Sequence, residues 1–208
     1  MSMQAVGQDG LDSWTRDLRS ICGHFHTELA FNRSLFIGDI SACSRGGLPL
    51  ANLRTNAGLI KRPKVRADHD DDQQCFLVSQ RSGYSQIAQD GQVIRLGPGE
   101  LLLMDSVGSI EITPFGLIEH ASLCLSRHEV CKQLGTRPRT FGKISSSKAC
   151  GRMLHVLMDQ LCTDALEGDA AVAEGLALQS ALVSLLGSAF AQQRSEEHTS
   201  ELQSPPLS

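Results

Sequence analysis

Seven histidines and seven cysteines are the side chains in this sequence best suited to bind a metal or attack a substrate. A metal held inside a barrel of strands needs, in its usual form, an H-x-H pair on one strand with a carboxylate and a later histidine. The single H-x-H is His24-Phe25-His26. Trp14, Leu18, Ile21, Cys22 and Phe25 recur at helical spacing, which predicts a helix through "SWTRDLRSICGHFHTEL" capped by Asp12 or Ser13. On a helix, residues two apart do not face each other. His120 follows Glu119 in an apolar run that reads as a strand, where neighbours point to opposite faces. "DHDDD", from Asp68 to Asp72, alternates acids but lacks the central glycine and distal glutamate of a calcium loop. It reads as a solvated turn. No metal site is expected.

The cysteines stand at 22, 43, 75, 124, 131, 150 and 162, an odd number with no C-x-x-C pair. That favours reduced, packed thiols in a cytoplasmic protein over a disulfide framework or a thiolate zinc site. No G-x-S-x-G surrounds a serine, and "GPGE" is a hairpin turn and not a phosphate cradle. No catalytic residue and no cofactor is expected.

The elements that would carry these residues follow from period. From Ser34 the chain breaks into short apolar runs cut by Gly, Pro, Asn and Asp, the rhythm of an all-β barrel or sandwich. In "IAQDGQVI", Asp90-Gly91 suits a two-residue hairpin turn. In "LGPGELLLMD", Pro98-Gly99 turns into Leu101 to Met104, a run buried on both faces. After Ser126 helical spacing returns. "RHEVCKQLG" is a short helix ended by Gly135. "SSSKACGRMLHVLMDQLCTDAL" and "AAVAEGLALQSALVSLLGSAFAQQ", separated at Gly168-Asp169, predict an antiparallel helix pair. The second is apolar enough to bury more than one face.

Composition agrees with one ordinary domain: 208 residues, 41% hydrophobic, 20% charged. The net charge of −4 gives no sign of nucleic-acid binding. No secretory signal opens the chain, and no apolar run approaches the ~20 residues of a membrane span.

In this order, "LFIGDIS", "FLVSQRSGYSQIAQDGQVIRLGPGELLLMDS" and "ASLCLSRHEV" resemble the N-terminal sensor domain of AraC/XylS-type transcription activators, from about Leu11 to Gln193. The string "QDGQ…LGPGELLLMD" is the most specific part. The resemblance implies an α+β fold: a cupin-like β-barrel (double-stranded β-helix) with an N-terminal helix and a C-terminal antiparallel helix pair. It implies an arm and helix at 1–33, the ligand-binding barrel at 34–143 and a helical dimerisation segment at 144–193. A homodimer that senses a small aromatic aldehyde or amine is then expected, with no enzymatic activity and no membrane partner. The alternative is a small cupin-type metalloenzyme.

Candidate walls for such a ligand are Phe36, Phe76, Val78, Tyr84, Leu103 and Leu123, with Trp14 as a lid. Alternation puts Phe76 and Val78 on one face but does not say which face is inside. Asp105, Glu111 and Glu119 are the strand carboxylates that could meet an amine, and their sparseness favours a neutral guest such as an aldehyde. For dimerisation the candidates are Leu154, Met158 and Leu161 on one helix and Leu178, Leu182 and Leu185 on the other.

Family members continue into two helix-turn-helix units that read the major groove. Here "RSEEHTSELQS" follows Gln193 instead, and it resembles a translated sequencing adapter. Residues 194–208 are expected to be non-native and the DNA-binding region to be missing, so that residues 1–193 do not bind promoter DNA. The closing fifteen residues hold one arginine and three glutamates, which leaves the rest at −2.

Overall fold

Apolar periodicity sets the first element. Helix α1 (Met3–Cys22) starts earlier than Asp12 or Ser13, which both lie inside it, and it stops where Gly23 takes φ +92°. That glycine ends the helix before the H-x-H. Phe25 is buried, and His26 belongs to strand β1 (His26–Glu28), so the expectation of a continuous helix to Leu29 is corrected. The computed structural model describes residues 3–30, 35–63, 74–135, 141–163 and 172–202. The acidic string at 68–72 and the Gly168-Asp169 break lie outside the described residues.

Among the described residues nine strands follow: β2 (Gly38–Arg45), β3 (Leu48–Thr55), β4 (Leu59–Arg62), β5 (Gln74–Ser82), β6 (Ser85–Gln89), β7 (Gln92–Leu96), β8 (Leu101–Asp105), β9 (Ile110–Pro114) and β10 (Ile118–Ser126). After them come α2 (Arg127–Leu134), β11 (Gly142–Ile144), α3 (Ala149–Thr163) and α4 (Val172–Leu202). The strands form two antiparallel sheets, in the orders β1-β4-β9-β6-β7 and β11-β8-β5-β10-β3-β2. The β6–β7 hairpin has the anticipated turn, with Asp90 at φ 47° and Gly91 at 85°. Because β1 pairs with β4, the barrel begins before residue 34.

Period-two alternation in the six-stranded sheet sorts its side chains into two cores. Cys75, Leu77, Leu101, Leu103, Ala121, Leu123 and Leu125 face outward, against α2, α3 and α4. Phe76, Val78, Leu102 and Met104 face inward, against the five-stranded sheet and α1. With both faces covered, "CFLVSQ" and "LLLMD" must be apolar at nearly every position.

The helical layer is held by that outer core. Ser126 caps α2 by accepting from the Glu129 amide, and Gly135 ends it through a bond from its N–H to the Cys131 carbonyl. Leu154, Met158, Leu161 and Leu182 are buried against the sheet, and Leu178 and Leu185 pack on the same core. The expected dimer stripe is therefore the docking face of its own chain. Exposed instead are Met153 (54%) and Val156 (61%) on α3 and Leu176 on α4. One face of α4 is buried, not several. Its other face carries Ala177, Ser180, Ala181, Ser184 and Ser188, exposed and small, so alanine content made it look more buried than it is. The helical backbone continues through Arg194 to Leu202, in a stretch without Gly or Pro that ends before Pro205-Pro206.

Candidate ligand cavity in the barrel

The inward face does not fill its space. A cavity of about 50 Å³ lies between the sheets. Leu18 and Cys22 of α1 and the buried Phe25 close one side. Ala51, Leu53, Phe76, Val78, Met104, His120 and Ser122 come from the six-stranded sheet, and Ile60 and Ile112 from the other. Among facing positions, Ala51, Val78 and Ser122 are small, which leaves the gap. Its volume is room for about three waters, and below the roughly 150 Å³ hollow that takes up benzene in an engineered protein. A ring-sized guest therefore requires a wall to yield. Helix α1 is the natural candidate, because it packs chiefly on β1 and β2 and is not stitched into either sheet.

Of the expected wall residues, Phe76 and Val78 line this cavity. Leu103 and Leu123 do not. Each is 0% exposed but turned outward beneath the helices. Tyr84, at the bend before β6, is 63% exposed and is not a wall. Trp14 and Phe36 belong to the inner core as an edge-to-face pair with ring centres 5.7 Å apart, but Leu18, about one turn along, is the residue that reaches the cavity.

One polar cluster borders the cavity. His120 pairs in register with Gln80 of β5, just past a register shift at Glu119, so both side chains share the inward face. Its Nε2 lies 2.5 Å from Gln80 Oε1 and 3.4 Å from the Ser85 hydroxyl of the opposite sheet. Ser85 donates to the same Gln80 oxygen at 2.7 Å, and the Gln80 amide nitrogen donates to the Ser82 carbonyl at 2.8 Å. Burial pushes the His120 pKa down to about 4, so the ring is neutral near pH 7. The contrast with Glu119 was legible: as alternation requires, Glu119 points out and pairs with Arg54 at 3.3 Å. The cluster was not, because its members are 35 and 40 residues apart in sequence.

Among the described residues no carboxylate lines the cavity. Asp105 is turned to Arg127 at 2.8 Å, and that hydrogen bond holds the guanidinium pKa up. Glu111 pairs with Lys61 at 2.8 Å on the outside. Burial, with Cys124 nearby, pushes the Cys22 thiol up to about 12, and burial raises Cys124 as well. Both stay protonated and make poor nucleophiles. Among the described residues no three His, Cys, Asp or Glu side chains converge as metal ligands. The arrangement can hold a small neutral molecule by apolar contact and a few hydrogen bonds.

No family model matches the chain. No curated protein matches it by sequence. Its structure is similar to that of the AraC-like transcriptional activator CuxR, with a TM-score of 0.70 at 15% identity over 86% of this chain and 65% of that one. The chain thus spans about two thirds of that activator's length. Partial likenesses extend to the Cupin_2 domain of an XRE family transcriptional regulator from Enterobacter cloacae (TM-score 0.34, 13% identity, 42% of this chain and 94% of that one). A cupin superfamily protein from Desulfitobacterium hafniense also aligns (TM-score 0.34, 17% identity, 48% of this chain and 83% of that one). Among the described residues no helix is long and apolar enough to cross a membrane. The chain has an α+β fold built on a cupin-like barrel, and it shares its fold over 86% of its length with an AraC-like activator.

Proposed function

We propose that this chain is the ligand-sensing and dimerising part of a cytoplasmic transcription activator of the AraC/XylS type. The reading is carried by one observation: a barrel with the fold of an AraC-like activator keeps an apolar cavity whose polar edge is a neutral histidine. Within the family, the string "QDGQVIRLGPGELLLMD" points to a FeaR-like activator of aromatic-amine catabolism. The guest on this reading is a small neutral aromatic molecule. Among the described residues no carboxylate lines the space a protonated amine would enter, and an unpaired charge buried there is strongly disfavoured. DNA contacts belong to a region beyond Gln193, and the genomic reading frame past that residue is the check.

Sensing is tested by thermal unfolding with phenylacetaldehyde, 2-phenylethanol, phenylethylamine and tyramine. A guest at about 100 times its dissociation constant adds roughly 2.7 kcal/mol of stability. A raised Tm with the neutral pair supports the reading, and a flat response to all four overturns it.

Dimerisation is assigned to the exposed Met153 and Val156, one helical turn apart on α3. Sedimentation equilibrium of the double variant Met153→Glu, Val156→Glu is the test. A dimer for the native chain and a monomer for the variant support the assignment, and an unchanged dimer overturns it.

A further inference from the structure

We infer that the guest of the barrel cavity presents a hydrogen-bond donor, a hydroxyl or an N–H, to Nδ1 of His120. The inference rests on the sensing reading above and adds the polarity of the recognition.

It follows from three linked bonds. The Gln80 amide nitrogen donates to the Ser82 carbonyl at 2.8 Å. Turning the amide over would set its oxygen against that carbonyl oxygen, so Ser82 fixes which end of Gln80 faces the cluster. Oxygen Oε1 therefore faces His120 at 2.5 Å. The Ser85 hydroxyl spends its proton on the same Oε1, at 2.7 Å, and offers only lone pairs to the ring. Both neighbours of Nε2 are acceptors, so Nε2 carries the proton. A neutral imidazole protonated on Nε2 has a bare lone pair on Nδ1. Burial keeps this ring neutral.

Among the described residues Nδ1 has no hydrogen-bond partner, and His120 is a wall of the cavity and also borders a surface cleft beside Arg54 and Glu119. The Ser122 hydroxyl on the cavity can either donate or accept and so selects neither. His120 alone imposes a sign. A guest that can only accept, such as an aldehyde or an aryl fluoride, leaves Nδ1 desolvated and unpaired. The contrast with Gln89 is instructive. That equally buried amide donates to the carbonyls of Asp105 and Val107 and accepts from the Asp105 amide, so it is satisfied by the protein itself. The His120 cluster lacks its last partner.

Matched probes on the full chain test this. Phenol is compared with fluorobenzene, and 2-phenylethanol with phenylacetaldehyde, by calorimetric titration. The donor-bearing member of each pair is expected to bind ~10-fold tighter. Equal binding within a pair overturns the donor inference and leaves the sensing reading standing. Failure of all four to bind overturns both. Long-range ¹H–¹⁵N spectra of histidine-labelled protein read the tautomer directly: a proton on Nε2 supports the inference, and a proton on Nδ1 overturns it without any variant. In His120→Phe the preference within each pair is expected to disappear. A preference that survives in that variant assigns it elsewhere and overturns the role of His120.

Discussion

The six-stranded sheet has two faces of nearly equal apolarity and opposite consequence. Outward, leucines at 77, 101, 103 and 123 meet side chains from three helices and are fully buried. Inward, Phe76, Val78 and Met104 meet a second sheet, and a hollow with a polar edge remains. Helices can slide and rotate until ridges fill grooves, whereas a curved sheet paired across a barrel has its spacing set by backbone hydrogen bonds. The face that cannot adjust is the one left able to take a guest. On the proposed reading, the difference makes stability a property of the outer face and recognition a property of the inner one.

The largest effect should come from the solid face. Leu123→Ala, at a position with no exposure, is expected to cost about 2–5 kcal/mol. Denaturant unfolding would show it, with ligand affinity per folded molecule unchanged. A loss of affinity in the folded fraction would break the division between faces.

Acid should act on the inner face. His120 has a folded pKa of about 4 against an ordinary 6.5. The unfolded chain takes up its proton first as pH falls, so stability is lost between about pH 7 and pH 4 and is fully present above that window. The loss is about 3 kcal/mol. Unfolding midpoints across this range should fall more steeply for the native chain than for His120→Gln, and parallel curves would show that the ring is not sealed.

Ile112→Val, a small trim of the cavity wall, should cost only about 0.5–1.5 kcal/mol. It should also improve binding of the bulkier members of a ring-substituted phenol series. A cost as large as that of Leu123→Ala would mean that the inner face is packed like the outer one.

What could be read beforehand divides along physical lines. The Asp90-Gly91 hairpin and the two-sided burial of "LLLMD" depend on the backbone and period of one segment, and both were legible. Which face of β5 and β10 was hollow was not, since Val78 and Leu123 are the same kind of residue and only the partner layer distinguishes them. The end of α1 was misplaced because apolar spacing ran on through Phe25, although Gly23 ends the helix. The leucine stripes were correctly seen as stripes, but periodicity marks a buried face without saying whether its cover is the same chain or another. His120 drew attention as a strand histidine, yet its role depends on Gln80 and Ser85, which only the strand pairing brings within reach.

The central claim, that the inward face alone receives a guest, is open to one direct measurement. Methyl-labelled protein titrated with 2-phenylethanol and followed by NMR should show shifts at Ile60, Val78, Met104 and Ile112, while Leu77, Leu103 and Leu123 stay in place. Shifts confined to the outer-face leucines, spread equally over both faces, or absent at saturating alcohol would contradict it.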